Sequence, residues 1–198
     1  MKVSAVVLAA GHSTRFGTGE KLLAEWNGRT LIEHVFAAAL NALLAGVISE
    51  VVVVAADGAA RVKSIAGAEG FRVVSPSTSD GGISSSLRTG VAALAAGAEG
   101  AVILLGDQPM VKAASITAVV NAAGNSPQAL VRAHYHGSAD MLSHPVFIGR
   151  YHFGLVHKTT ADEGFNAIAA KHRLKWTEVW LDGDNPDIDF PVDLDRLK

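Results

Sequence analysis

Hydrophobic and polar positions follow two rhythms along this chain. Val3–Ala9 is an apolar run interrupted only by Ser4. A strand covered on both faces reads this way, because neither of its alternating side-chain rows meets water. Leu31, Ile32, Val35, Phe36, Ala39, Leu40, Leu43 and Leu44 then recur at the spacing of one helix face. Thr30, with Glu33 three residues on, gives that helix a capping-box start, and Gly46 gives it a stop. Glu50–Ala55 predicts a second strand, residues 59–66 a short alanine-rich helix, and residues 71–74 a third strand. A run of Ser, Gly and Asp over 76–86 leads into a helix through Leu87, Val91 and Leu94 to Gly97. Residues 101–105 are unbroken and apolar, and Gly106-Asp107-Gln108-Pro109 ends that fourth strand. A helix over Ala113–Ala123 and a fifth strand over 128–132 follow.

Near Arg132 the alternation lapses. Residues 133–149 mix histidines and glycines with a short strand at 145–148. Residues 162–171 predict a helix with acids in its first turn and Lys171-His172-Arg173 at its end, matching the macrodipole. A last strand over 174–181, an acidic turn-rich loop over 182–189 and a closing helix opened by Pro191 complete the pattern. Strands alternating with helices predict an α/β fold, a three-layer α/β/α arrangement around a mostly parallel, Rossmann-like sheet. Ligands of such sheets sit outside the carboxyl ends of the strands. The loops 10–21, 75–86 and 106–110 are therefore expected to meet in one cleft.

Composition narrows the function classes. The 198 residues fit one domain. With 49% hydrophobic and 18% charged residues, there is ample material for a core. A net charge of −2 offers no basic field for nucleic acid. The absence of cysteine excludes disulfides, thiolate zinc sites and cysteine nucleophiles. The apolar stretch after Lys2 is at the short limit for a signal peptide, and a polar glycine-rich loop follows it. No stretch has the length of a membrane span, so a soluble cytoplasmic protein is expected, with no membrane partner.

The first strand empties into Ala10-Gly11-His12-Ser13-Thr14-Arg15-Phe16-Gly17-Thr18-Gly19-Glu20-Lys21. Glycines let successive backbone N–H groups turn inward as a nest for anions. Arg15 and Lys21 add phosphate-shaped positive charge. The loop suits a triphosphate; the alternative is an ordinary strand-to-helix connection. It is neither a P-loop, since no Gly-Lys pair occurs in it, nor a dinucleotide fingerprint, since Ser13 stands where the second glycine belongs. Asp107, at the end of an apolar strand, is placed to hold Mg²⁺, or else to make an Asx-turn or cap the next helix. Asp187 and Asp189, spaced by two, face one side of an extended segment and could supply a second carboxylate, or form a solvated loop. Asp193 reads as a helix-dipole partner. Gly81-Gly82-Ile83-Ser84-Ser85-Ser86-Leu87-Arg88 suits the edge of a nucleobase, or is simply a helix cap. His134-x-His136 lacks any accompanying zinc pattern and reads as a polar strand on the substrate side. No Gly-x-Ser-x-Gly elbow occurs.

Leu8-Ala9-Ala10-Gly11-His12-Ser13-Thr14-Arg15-Phe16-Gly17 with Lys21, together with GISSSLRTG (82–90), GDQP (106–109), His144-Pro145-Val146 and DIDFPVDL (187–194), resembles the MobA-like nucleotidyltransferase superfamily. The closest likeness is to its molybdenum cofactor cytidylyltransferases. The resemblance covers nearly the whole chain and implies a fold of the nucleotide-diphospho-sugar transferase type. It also implies Mg²⁺-dependent transfer of CMP from CTP onto the phosphate of molybdopterin, with release of pyrophosphate. By that likeness Arg15, Lys21 and Asp107 are catalytic, and Asp107 holds the metal with Asp189, or with Asp187 as second choice. The same likeness puts Leu8, Ala9, Ala10, Gly11, Ser13, Gly82, Ser84, Ser86 and Arg88 about the nucleotide, and Gln108, Pro109, His144 and Pro145 on the acceptor side. With the lapse of alternation near Arg132, the single domain divides softly into a nucleotide-binding part, 1–132, and an acceptor-side part, 133–198. The implied partners are CTP, a molybdopterin-type acceptor and a molybdoenzyme. Guanylyl-transferring relatives read Leu-Ala-Gly-Gly at the opening; Ala10 therefore favours CTP. Ser143 and Phe190 depart from the family's usual Gly and Thr, both toward the acceptor. The alternatives are a transferase using GTP or another phosphorylated acceptor, and a non-catalytic cofactor-binding or insertion factor.

Overall fold

The computed structural model describes residues 1–11, 16, 20–77, 82–137, 144–159 and 164–197, and of Arg196 only the backbone. Its centre is β1 (Val3–Ala9), flanked in parallel by β4 (Glu50–Ala55) and β6 (Gly100–Leu105). β5 (Arg72–Val74) continues the sheet beside β4. On the other side come β8 (Val146–Gly149), β7 (Leu130–Tyr135) and β9 (Thr177–Leu181), giving the order β5-β4-β1-β6-β8-β7-β9. β8 is antiparallel to both its neighbours, so every other strand of this sheet points the same way. The fold is the expected three-layer α/β/α arrangement.

The period of two sorts the strands' side chains into two cores. Val3, Ala5, Val7 and Ala9 pack with Val51, Val53, Val102 and Leu104 beneath α1 (Leu31–Leu44), α2 (Ala60–Ala68) and α4 (Ala113–Ala123). Val6, Val54, Ala101, Ile103, Val146 and Ile148 pack on the opposite face beneath α3 (Ile83–Ala92), α5 (Phe153–Val156) and α6 (Phe165–Lys171). β1 is thus apolar but for Ser4, whose buried hydroxyl donates to Glu50 Oε1 at 2.6 Å, because both its rows are enclosed. The capping box of α1 is formed: the Thr30 N–H and hydroxyl donate to Glu33 Oε2 at 2.7 and 2.6 Å, and these bonds hold the Glu33 carboxyl below its usual range. At Gly100 an added Cβ would lie 2.2 Å from the Phe147 ring, so the seam between β6 and β8 admits no side chain there.

Several elements differ from expectation. The hairpin β2 (Glu25–Trp26) and β3 (Arg29–Thr30) was not foreseen, although its turn is Asn27-Gly28 with φ of 48° and 76°, the pair that a two-residue hairpin loop favours. α3 stops at Ala92, short of Gly97, because its last amides tighten: Ala93 donates to both Thr89 and Gly90, and Leu94 to Val91. The fifth strand lies at Leu130–Tyr135, not at 128–132, since one of its rows is polar (Arg132, His134) while Val131, Ala133 and Tyr135 pack inward. The last strand begins at Thr177 rather than 174, and the closing segment Pro191–Leu197 is a 3-10 helix. The helix expected over 162–171 is seen from Phe165; Asp162 and Glu163 lie outside the described residues. The short helix α5, with the 3-10 turn Arg150–His152 before it, was also unforeseen. Arg132 sits within β7, and a single sheet runs across that position. Among the described residues no helix is long and apolar enough to cross a membrane.

Candidate functional site

The carboxyl ends of β1 and β6 lie side by side, Leu8 paired with Leu105. Beyond them the Gly106 N–H donates to the Leu8 carbonyl at 2.9 Å. A Cβ at Gly106 would meet Ile32 Cδ1 at 3.0 Å and Leu8 O at 3.1 Å, so only glycine lets the turn fold down this tightly. That turn presents Asp107 at the rim, with about a quarter of its side chain in water. Lys21 opens a 3-10 turn, Lys21–Leu23, that packs beside α1. Its Nζ donates to Asp107 Oδ2 at 2.7 Å and to Asp189 Oδ1 at 3.0 Å. Three distant stretches of chain therefore converge on one ammonium. Burial pulls the Lys21 pKa down, but the charges and hydrogen bonds of Asp107 and Asp189 outweigh it and hold the amine above its usual value.

The loop that delivers Asp189 is pinned to the Asp107 turn. The Ile188 N–H donates to the Asp107 carbonyl at 3.1 Å, and the Ile188 side chain is fully buried against Leu31 and Leu197. Asp193 accepts from the backbone N–H groups of Asp189 and Phe190 at 3.0 and 2.8 Å, so it caps this bend as well as opening the 3-10 helix. Asp187 turns elsewhere: its Oδ1 accepts from Gln108 Nε2 at 2.9 Å. Desolvation, then the nearby Asp107 and Asp189 carboxylates, push the Asp187 carboxyl up to about 6. Asp107 and Asp189 thus offer hard oxygens within 3.0 Å of one point. Among the described residues no group of three or more His, Asp or Glu side chains is placed to hold a metal alone. Two carboxylates, with the remaining positions left to phosphates and water, fit the habit of Mg²⁺.

The other predicted residues divide into those the structure brings to this rim and those it turns inward. Leu8 and Ala9 end β1, and Ala10 and Gly11 follow it; Ala9 is buried, Leu8 and Ala10 are half-buried, and Gly11 is exposed, with nothing among the described residues within 4 Å of where a Cβ would lie. Ser13 and Arg15, with the rest of 12–15 and 17–19, lie outside the described residues, as do Gly81 and Ser143. Gly82 caps α3 with φ of 94°, a backbone that favours glycine. Ser84 and Ser86 are buried, and the Ser84 hydroxyl accepts from Arg88 Nη1 at 3.3 Å. Arg88 also donates to the Thr159 carbonyl, tying α3 to the end of α5. Ser84 and Arg88 thus brace the start of α3. Gln108 and Pro109 are buried, and the Gln108 amide bonds to Asp187 and Asn185. His144 precedes a cis peptide to Pro145, has its Nδ1 buried without a partner, and is held by burial down to about 4. His134 is buried in β7; its ring and that of His136 stack on Trp180 of β9, at 4.9 and 5.2 Å, far along the sheet from Asp107.

One participant went unnoticed in the sequence. Asn185, 2% exposed, donates through Nδ2 to Gln108 Oε1 at 3.0 Å and to the His144 carbonyl at 3.1 Å. An asparagine among the acids and glycine of 182–187 looks like turn chemistry, and only its burial distinguishes it.

Comparison with known proteins places the chain in a family and agrees with the fold. A sequence profile of the MobA-like NTP transferase domain matches residues 5–176. The crystal structure of Rv0371c from Mycobacterium tuberculosis H37Rv superposes with a TM-score of 0.83 at 28% identity, covering 100% of this chain and 98% of that one. A complex of the same protein with manganese gives 0.81 at 26%, with the same coverage. A nucleotidyl transferase from Methanothermobacter thermautotroptrophicus gives 0.79 at 25% identity, covering 99% and 95%. A curated relative, nicotine blue oxidoreductase of Paenarthrobacter nicotinovorans, is 38% identical over 91 residues, which span 46% of this chain and 43% of that protein's length.

Proposed function

The chain belongs to the MobA-like NTP transferase domain family, and from that premise we propose that it is a Mg²⁺-dependent nucleotidyltransferase that moves CMP from CTP onto the phosphate of a molybdopterin-type acceptor. The observation that carries this reading is the junction of Lys21, Asp107 and Asp189 within 3.0 Å at the carboxyl rim of the sheet. Ala10, in a Leu-Ala-Ala-Gly opening, supports CTP over GTP. The manganese bound by Rv0371c supports a divalent ion. The product would pass to a molybdoenzyme in the cytoplasm.

Each residue then has a task. The backbone N–H groups after β1, with Arg15 and Lys21, grip the triphosphate and fix its α-phosphorus for in-line attack. Asp107 and Asp189, rather than the Gln108-bound Asp187, would hold Mg²⁺, which when bound offsets charge growing on the transferred phosphoryl and on the departing pyrophosphate. Lys21 leaves its carboxylates for the phosphate oxygens, a short swing for a flexible four-carbon stem. No side chain has to act as a strong base, because an acceptor phosphate is already anionic.

Thermal-shift ranking of CTP, GTP, ATP and UTP with Mg²⁺ tests the reading, followed by pyrophosphate release with a molybdopterin acceptor. CTP should stabilise most. A clear preference for GTP would overturn the assignment of the base, and binding without any pyrophosphate release would favour an insertion factor.

A further inference from the structure

The relay formed by Asn185 and Gln108 touches neither Lys21 nor the oxygens that face it, yet it is buried and runs in one direction. The His144 carbonyl can only accept, so Asn185 must turn its NH₂ toward it. That same NH₂ reaches Gln108 Oε1, which leaves the Gln108 NH₂ to donate to Asp187 Oδ1. Flipping either amide would set acceptor against acceptor at an end of the chain, so the contacts themselves fix both orientations. The two amides are 2% and 4% exposed, and a pair left unsatisfied there is costly.

The relay joins three pieces of chain that share no secondary structure: the turn after β6, residues 184–189, and the entry to β8. Backbone attachment of the late loop at the Asp107 turn is one bond, from Ile188 to Asp107. One bond fixes a point and not an orientation. The buried Ile188 side chain and the Asp193 cap hold the far side of that bond, and Gln108 gripping Asp187 holds the near side, so the segment 187–189 is fixed at both ends with Asp189 beside Asp107. We infer that Asn185 and Gln108 are positioning residues that set the spacing of the Asp107 and Asp189 carboxylates for a divalent ion, an inference that rests on the metal assignment above. Partners that orient ligating carboxylates typically influence metal affinity about 10–100-fold.

Mn²⁺ alone is a suitable probe, followed by the electron paramagnetic resonance signal of the free ion, with no turnover required. Gln108→Met and Asn185→Leu keep bulk and neutrality while removing the relay's bonds. Each should weaken Mn²⁺ binding about tenfold or more. Gln108→Met/Asn185→Leu should lose little beyond the worse single variant, because the two act as a unit. Urea melts of the same samples confirm that folded protein is being titrated, and Asn185→Ser, smaller and polar, serves if the leucine variant does not fold. Folded variants that bind Mn²⁺ as the parent does would overturn the inference and leave the nucleotidyltransferase reading standing. A parent that binds Mn²⁺ but ignores every nucleoside triphosphate would overturn that reading and leave the relay's role intact. A parent that takes up no Mn²⁺ would overturn both.

Discussion

The strands β5, β4, β1 and β6 and the strands β8, β7 and β9 belong to one sheet but are made differently. In the first group every neighbour is parallel and the strands are almost wholly apolar. The second group contains the reversed strand β8, carries Arg132, His134 and Glu178 within its strands, and leaves Trp180 54% exposed at the sheet's edge. The regular half delivers Asp107 as the direct continuation of a buried strand, so its position follows from the core. The irregular half delivers Asp189 at the end of a long return from β9, and that return needs the Ile188 bond, the Asp193 cap and the Asn185 relay. A site shared between the halves is stiff on one side and tethered on the other.

The contrast can be broken most severely at its stiff side. Asp107→Ala should lower pyrophosphate release by about 10³-fold, the scale of losing a main group that stabilises transition-state charge, while the urea midpoint hardly moves. Asp189→Ala should cost less, since its side chain is 43% exposed and its tether yields more easily. An Asp107→Ala enzyme of unchanged rate at saturating Mg²⁺ would show that the regular half does not carry the chemistry.

The seam comes next. In Gly100→Ala the new Cβ would press on Phe147 where β6 meets β8, a rigid ring with buried strands around it. Overpacking of this kind costs about 1–3 kcal/mol, to be read from urea denaturation. Loss of Asp189-dependent activity ahead of global unfolding would mean that the halves separate at this line.

The smallest effect concerns pH, and both groups involved belong to the irregular half. Burial keeps His144 neutral down to about 4, whereas an unfolded histidine protonates near 6.5. The unfolded chain therefore gains protons first, and stability is lost as pH falls from about 6.5 to about 4. Asp187 works in reverse: its folded carboxyl keeps its proton up to about 6 against 3.8 unfolded, so stability is lost as pH rises through that window. The His144 effect amounts to at most about 3 kcal/mol, and that of Asp187, which is exposed to water and screened, to well under that. The parent should show a shallow profile over this range, because the two oppose. His144→Gln should turn it into a decline toward higher pH and Asp187→Asn into a rise, both measured by urea melts at stepped pH. A steep parent profile unaltered by either substitution would remove these groups from the account.

The same division governs how far the sequence could be read. Val3–Ala9, Glu50–Ala55, Ala113–Ala123 and the Thr30–Glu33 cap stand where periodicity placed them, because local pattern and burial agree there. The meeting of Lys21 with Asp107 was legible too, since strand ends in a parallel sheet share a rim. The Asn27-Gly28 hairpin escaped because strands of two residues have no period to detect, although its turn residues spell it out. Ser84, Ser86 and Arg88 read as ligand donors in sequence, and nothing local says that the serines will be buried or that Arg88 will reach the Thr159 carbonyl. Gln108 reads as an acceptor contact, and its bonds to Asp187 and Asn185 escape the sequence because those partners lie more than seventy residues away, where no spacing rule reaches.

Lys21 has a further consequence. Resting between two acids, it acts as an internal counterion and offsets one of their two charges before any substrate arrives. A bare cation must therefore compete with that ammonium for the same oxygens. A cation that comes escorted by phosphates brings the ammonium a new anionic home, so both exchanges happen in one event. Ion and nucleotide should accordingly reinforce one another, the ion that binds alone being held more tightly once a triphosphate arrives.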